Sequence, residues 1–129
     1  MLAIDRVNEI FDDARALLDS ALEHLDAGDI RDAAEKAWGA TKRATDALVL
    51  ARLDFEPEKT PETARGLHRL ANIDPRVETL IGRYHTRADF LHGQCFYLGH
   101  HDLIEDVQRR IRETADYIRD AVELASMAS

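Results

Sequence analysis

A single cysteine, Cys95, stands among 129 residues, which excludes an intramolecular disulfide framework and suits a reducing compartment. Three prolines and six glycines are too few for a collagenous, low-complexity or turn-rich all-β chain. Aromatic residues are scarce at 6%, with one tryptophan, Trp38, expected to anchor the core. No apolar run approaches the roughly 20 residues that span a bilayer. The start carries Asp5, Glu9, Asp12 and Asp13 and lacks a signal-peptide layout, so a cytoplasmic protein without membrane contact is expected. Basic residues are the minority, 17 against 25 acids, and the net charge of −8 disfavours a surface that grips nucleic acid all over. Phosphate-loop, dinucleotide, nucleophile-elbow and zincin motifs are all missing.

What remains is a helical vocabulary rich in Ala, Leu, Arg, Asp and Glu. Val7, Ile10, Phe11, Ala14, Leu17, Leu18, Ala21 and Leu25 recur at three- and four-residue steps, which predicts one amphipathic helix over 5–25. Gly28 then Asp29 supplies a C-terminal glycine and a capping aspartate. Ala33, Ala34, Ala37, Trp38, Thr41, Ala44, Thr45 and Leu48 continue as a second helix with a small-residue stripe, antiparallel to the first. Residues 54–59, with Pro57 among charges, read as a mobile connection. Thr60-Pro61 opens a short helix with threonine as cap, and Asp74-Pro75 opens a third long one through Val77, Leu80, Tyr84, Leu91 and Cys95. After a break at 98–101, Asp102-Leu103-Ile104-Glu105 reads as a capping box for a last helix buried through Ile104, Val107, Ile111, Ala115 and Ile118. The expectation is an all-α, up-and-down four-helix bundle with one additional short helix, forming one domain over residues 1–129.

Charge is uneven along the chain. Residues 61–101 hold five arginines, four acids and five of the six histidines, a net of +1 that leaves −9 elsewhere. This window is the candidate patch for an anion. Within it, Arg83, His85, Arg87, Asp89 and His92 are the candidate site residues. On an α-helical wheel with Val77 at zero, Arg87 projects about 80° to one side of the apolar stripe and His92 about 60° to the other. Joint chemistry by this pair therefore needs a long reach, a local distortion or a second copy of the chain. His85, Asp89 and His92 share one flank; two imidazoles and a carboxylate suit a transition metal, while a carboxylate beside His also fixes its tautomer. With no further Cys or His pattern to close a site, Asp89 is expected to orient His92, and no metal or cofactor is expected. Cys95 falls on the apolar stripe as an inert core thiol.

The run Arg87-Ala88-Asp89-Phe90-Leu91-His92-Gly93 is an R-x4-H-G sequence late in a helical chain, and it resembles the mark of the HEPN superfamily. The second helix, with Ala27-Gly28-Asp29 followed by Ala33-Ala34-Glu35-Lys36-Ala37-Trp38-Gly39-Ala40, is similar to a repeat-family branch of that superfamily in archaea and bacteria. So is Leu91-His92-Gly93-Gln94-Cys95-Phe96-Tyr97. The resemblance implies a homodimer whose motifs converge on a cleft between the chains. It further implies a metal-independent endoribonuclease, the toxin of a pair with a nucleotidyltransferase antitoxin. His92 would be the general acid or base at the ribose 2′-hydroxyl and leaving oxygen, Arg87 the stabiliser of the scissile phosphate, and Arg83, His85 and Asp89 supporting residues. Active members usually carry a polar residue after the arginine, whereas this chain has Ala88. The second expectation is thus a non-catalytic bundle that binds a nucleotide, or a partner such as a nucleotidyltransferase.

Overall fold

The computed structural model describes residues 3–97, 99 and 104–127. The pair His100-His101 and the capping position Asp102 lie outside the described residues, as does Leu103. The chain is all-helical. It runs α1 (Ala3–Asp26), α2 (Ile30–Leu53), α3 (Thr60–Ile73), a 3-10 turn (Pro75–Val77), α4 (Glu78–Arg87), a π-helical segment (Ala88–Tyr97), α5 (Ile104–Arg112) and α6 (Thr114–Ala125).

The α1–α2 hairpin follows its sequence signals. Gly28 adopts φ +82°, and the Asp29 side chain accepts from the Asp32 amide. Helix α2 is the centre of the bundle, packed against α1, α3, α6 and the π segment. Its small residues make that possible: Ala33, Ala34, Ala37, Ala40, Ala44 and Ala47 are fully buried, so neighbouring backbones approach closely. Trp38 is buried among them, with its ring 5.3 Å from Tyr84.

Buried charge joins the helices where the alanines cannot. Asp46 on α2 is fully buried and accepts from Thr63 Oγ1 of α3 at 2.6 Å and from Lys42 Nζ at 2.9 Å. Asp74 closes α3, opens the 3-10 turn by accepting from the Arg76 amide, and pairs with Arg52 of α2 at 2.8 Å. Both arginines hold its carboxyl well below the usual range, with Arg76 the stronger influence.

Four details depart from the sequence pattern. Lys59, not Thr60, is the capping position of α3, because its backbone is the extended one. The connection expected to be mobile is tied to α1, since Arg6 donates two hydrogen bonds to Glu56 at 2.9 and 2.7 Å. The last helix is two, α5 and α6, broken at Glu113, and Ile104 and Ala115 face outward. The third long helix stays α-helical only as far as Arg87. Beyond it Leu91 and Cys95 remain fully buried, but in π geometry, and burial pushes the Cys95 thiol pKa up.

Candidate functional site

Arg87 sits in the last turn of α4 and points inward, only 6% exposed. Its Nε donates to Thr41 Oγ1 of α2 at 2.9 Å, its Nη2 donates to Thr114 Oγ1 of α6, and the guanidinium lies 5.9 Å from the Tyr117 ring centre. Thr41 can accept because its own hydrogen goes to the Ala37 carbonyl at 2.8 Å. Thr45 repeats the device one turn on, donating to the Thr41 carbonyl, which leaves Tyr117 to donate to Thr45 Oγ1 at 2.8 Å. Among the described residues no carboxylate forms an ion pair with Arg87. Burial lowers its pKa to about 10, so the side chain stays charged at neutral pH. Burial likewise raises Tyr117 to about 12.

The π segment changes how the R-x4-H spacing works. Backbone hydrogen bonds five residues apart widen the helix, so positions i and i+5 come close to one turn apart. Arg87 and His92 accordingly both turn to α2, instead of straddling the apolar stripe. His92 Nδ1 donates to Glu35 Oε2 at 2.8 Å. Its ring lies 6.1 Å from Trp38 and stacks on Phe96 at 6.2 Å. The contacts on α2, Glu35 and Thr41, are six residues apart, roughly 9 Å along the axis. Trp38 stands between them. The distortion thus brings the pair to one helix but not to each other.

The flank trio is dispersed. Asp89, expected to orient His92, instead accepts from Gln94 Nε2 at 2.8 Å, again a five-residue spacing that the π geometry favours. Glu35 takes its place. His85 turns to α3, with its Nε2 2.8 Å from Nε2 of His68. Among the described residues the three side chains spaced for a metal ion are His24, Asp29 and Asp32 at the α1–α2 turn, away from the motif. Arg83 donates to Asp120 Oδ2 of α6 at 2.8 Å and lies 5.3 Å from the Tyr117 ring centre.

A cleft of about 290 Å³ opens between α4 and the α5–α6 break, lined by Gly82, Arg83, Arg87, Arg110, Glu113 and Asp116 among others. Arg110 lies 4.7 Å from the Phe90 ring centre, and its Nε is buried with no hydrogen-bond acceptor among the described residues. The sequence pattern passed over Glu35, Thr41, Thr114 and Arg110. Glu35 and Thr41 carried a local signal, three residues before and after Trp38 and hence on the same side of α2.

Fold and site together define an all-helical bundle in which a buried arginine and a carboxylate-held histidine share one central helix. The chain belongs to the archaeal PaREP1/PaREP8 family, whose sequence model spans residues 9–127. No curated protein and no solved structure matches it. Among the described residues no helix is long and apolar enough to cross a membrane.

Proposed function

We propose that this chain is a HEPN-like, metal-independent endoribonuclease whose cleft is completed by a second copy. The observation that carries the reading is the 2.8 Å hydrogen bond from His92 Nδ1 to Glu35 Oε2. A carboxylate on one ring nitrogen fixes the tautomer and aims the other nitrogen as a proton carrier. In the reaction His92 removes the ribose 2′-hydroxyl proton, the 2′-oxygen bonds to phosphorus, and the bond to the 5′-oxygen breaks. The protonated His92 then gives the proton to the leaving 5′-oxygen, and Arg87 offsets the charge that builds on the phosphate. Trp38 separates the two side chains within one chain, so a two-fold partner supplies the complementary member at each phosphate. The R-x4-H resemblance extends this to a toxin held in check by a nucleotidyltransferase.

A second reading, a non-catalytic bundle that binds a nucleotide or a partner protein, is favoured by the 6% exposure of Arg87 and by Ala88. Incubation of the pure protein with a structured RNA in EDTA separates the two. The nuclease reading expects cutting that leaves 2′,3′-cyclic phosphate ends. Such cutting is lost in His92→Ala and reduced roughly 10- to 100-fold in Glu35→Gln. Cutting that persists in His92→Ala, or its absence in pure folded protein freed of any bound nucleotidyltransferase, overturns it.

A further inference from the structure

Among the described residues, two arginines of the cleft between α4 and the α5–α6 break have no ion-pair partner. Of the cleft's three arginines, Arg83 is matched by Asp120 at 2.8 Å. Among the described residues Arg87 hydrogen-bonds hydroxyl oxygens and lies over an aromatic face, and the Glu113 carboxylate acts on it without forming an ion pair. Arg110 is laid against Phe90 and has no ion pair among the described residues. The two acids on the rim are already engaged elsewhere, Glu113 by Arg109 at 3.2 Å and Asp116 by Arg119 at 3.1 Å. Among the described residues two guanidinium groups thus share one opening with no ion pair of their own, and leaving such charge partly desolvated is costly unless an anion takes up the field.

On the α4 side the cleft is also lined by a glycine. Gly82 lies inside α4, where glycine costs about 1 kcal/mol against alanine. A Cβ built there meets nothing within 4 Å, so packing does not require its absence. Its effect is to leave room in front of Arg83 and Arg87.

We infer that this cleft binds a phosphate monoester, the terminal phosphate of a nucleotide or of an oligonucleotide end. The charge selects the class. Two uncompensated guanidinium groups match the dianion that a monoester carries near neutral pH, whereas an internal phosphodiester carries a single charge. Planar guanidinium groups also suit the oxygens of a terminal phosphate, which can be gripped from two sides. The site shares Arg87 with the proposed nuclease and adds Arg110 and Gly82, which take no part in the chemistry assigned to His92 and Arg87.

Binding is read on the whole protein with short DNA oligonucleotides, which lack the 2′-hydroxyl and cannot be cut by the proposed route. A 5′-phosphorylated strand and its 5′-hydroxyl twin are compared by fluorescence anisotropy, and a nucleoside monophosphate and its nucleoside by calorimetry. The monoester member of at least one pair is expected to bind at least tenfold more tightly. Preference in the first pair assigns the ligand to an oligonucleotide end, and preference in the second alone assigns it to a free nucleotide. Arg110→Gln, which removes the charge, and Gly82→Met, which fills the cleft and leaves every charge in place, should each erase the preference. Arg65→Gln on α3, an equal change of charge away from the cleft, should keep it. His92→Ala should also keep it, so loss of cutting and loss of binding fall separately. Equal binding within both pairs, or a preference that survives both cleft variants in folded protein, overturns the inference.

Discussion

Replacing Arg87 with methionine should leave the stability of the bundle within about 1 kcal/mol of the parent, although the residue is buried and hydrogen-bonded. Desolvation brings Arg87 down to about 10, which corresponds to about 3 kcal/mol against the charged form in the fold. The hydrogen bonds to Thr41 and Thr114 return about 1.5 kcal/mol each, the lower end for a charged donor because both acceptors are neutral hydroxyls. The two contributions nearly cancel. Methionine fills most of the same space, and Thr41 keeps its own bond to the Ala37 carbonyl. Alanine, in contrast, opens a cavity against Tyr117 and should cost about 2–5 kcal/mol. The penalty acts only while the folded arginine is charged. It is therefore present in full below the folded pKa and is relieved as pH rises through about 10, where the parent should gain on the methionine variant. Urea denaturation followed by far-ultraviolet circular dichroism at pH 7 and again near pH 10.5 measures both effects. A loss above about 3 kcal/mol in Arg87→Met at pH 7 would show that Arg87 is a net structural support, and would refute the account of a cation kept at a cost.

Two further substitutions test the packing. The Tyr84 hydroxyl is buried without a hydrogen-bond partner among the described residues, and burial pushes its pKa up, so Tyr84→Phe removes an unsatisfied group. It should stabilise by about 1 kcal/mol, seen as a rise of a few degrees in Tm; a fall would point to a partner for the hydroxyl. Gly66 and Gly82 should respond oppositely to alanine. A Cβ at Gly66 comes within 2.7 Å of Val49 Cγ1 and should cost about 1–3 kcal/mol, net of any helix-propensity gain. At Gly82 the same change meets open space and should gain up to about 1 kcal/mol. Thermal melts of the two variants side by side decide this, and equal shifts would show that the α2–α3 contact is looser than described.

Much of the architecture is legible residue by residue. The turn at Gly28-Asp29, the small stripe of α2 and the start at Asp74-Pro75 are local signals, each carrying its own backbone geometry or cap. The candidate site is legible only in part. Arg87 and His92 stand out as residue types in a known spacing, but their partners do not. Thr41 and Thr114 lie on separate helices, and Glu35 meets His92 across 57 positions of sequence. No periodic pattern reports such pairings, since each helix by itself satisfies the pattern with either partner.

Hydrophobic spacing determined that the chain is helical and which faces are apolar, because burial of a stripe at three- and four-residue steps is a property of one segment at a time. The direction of Arg87, the replacement of Asp89 by Glu35 and the cleft at Gly82 and Arg110 were decided by tertiary packing. For His92 and Asp89 the physical reason lies just past Arg87, where the change from α to π geometry alters the angle between successive side chains. Apolar residues seven apart, such as Tyr84 and Leu91, remain buried through that change. The five-residue step from Arg87 to His92 does not keep its α-helical angle, and so the site takes its shape only once the helices are assembled.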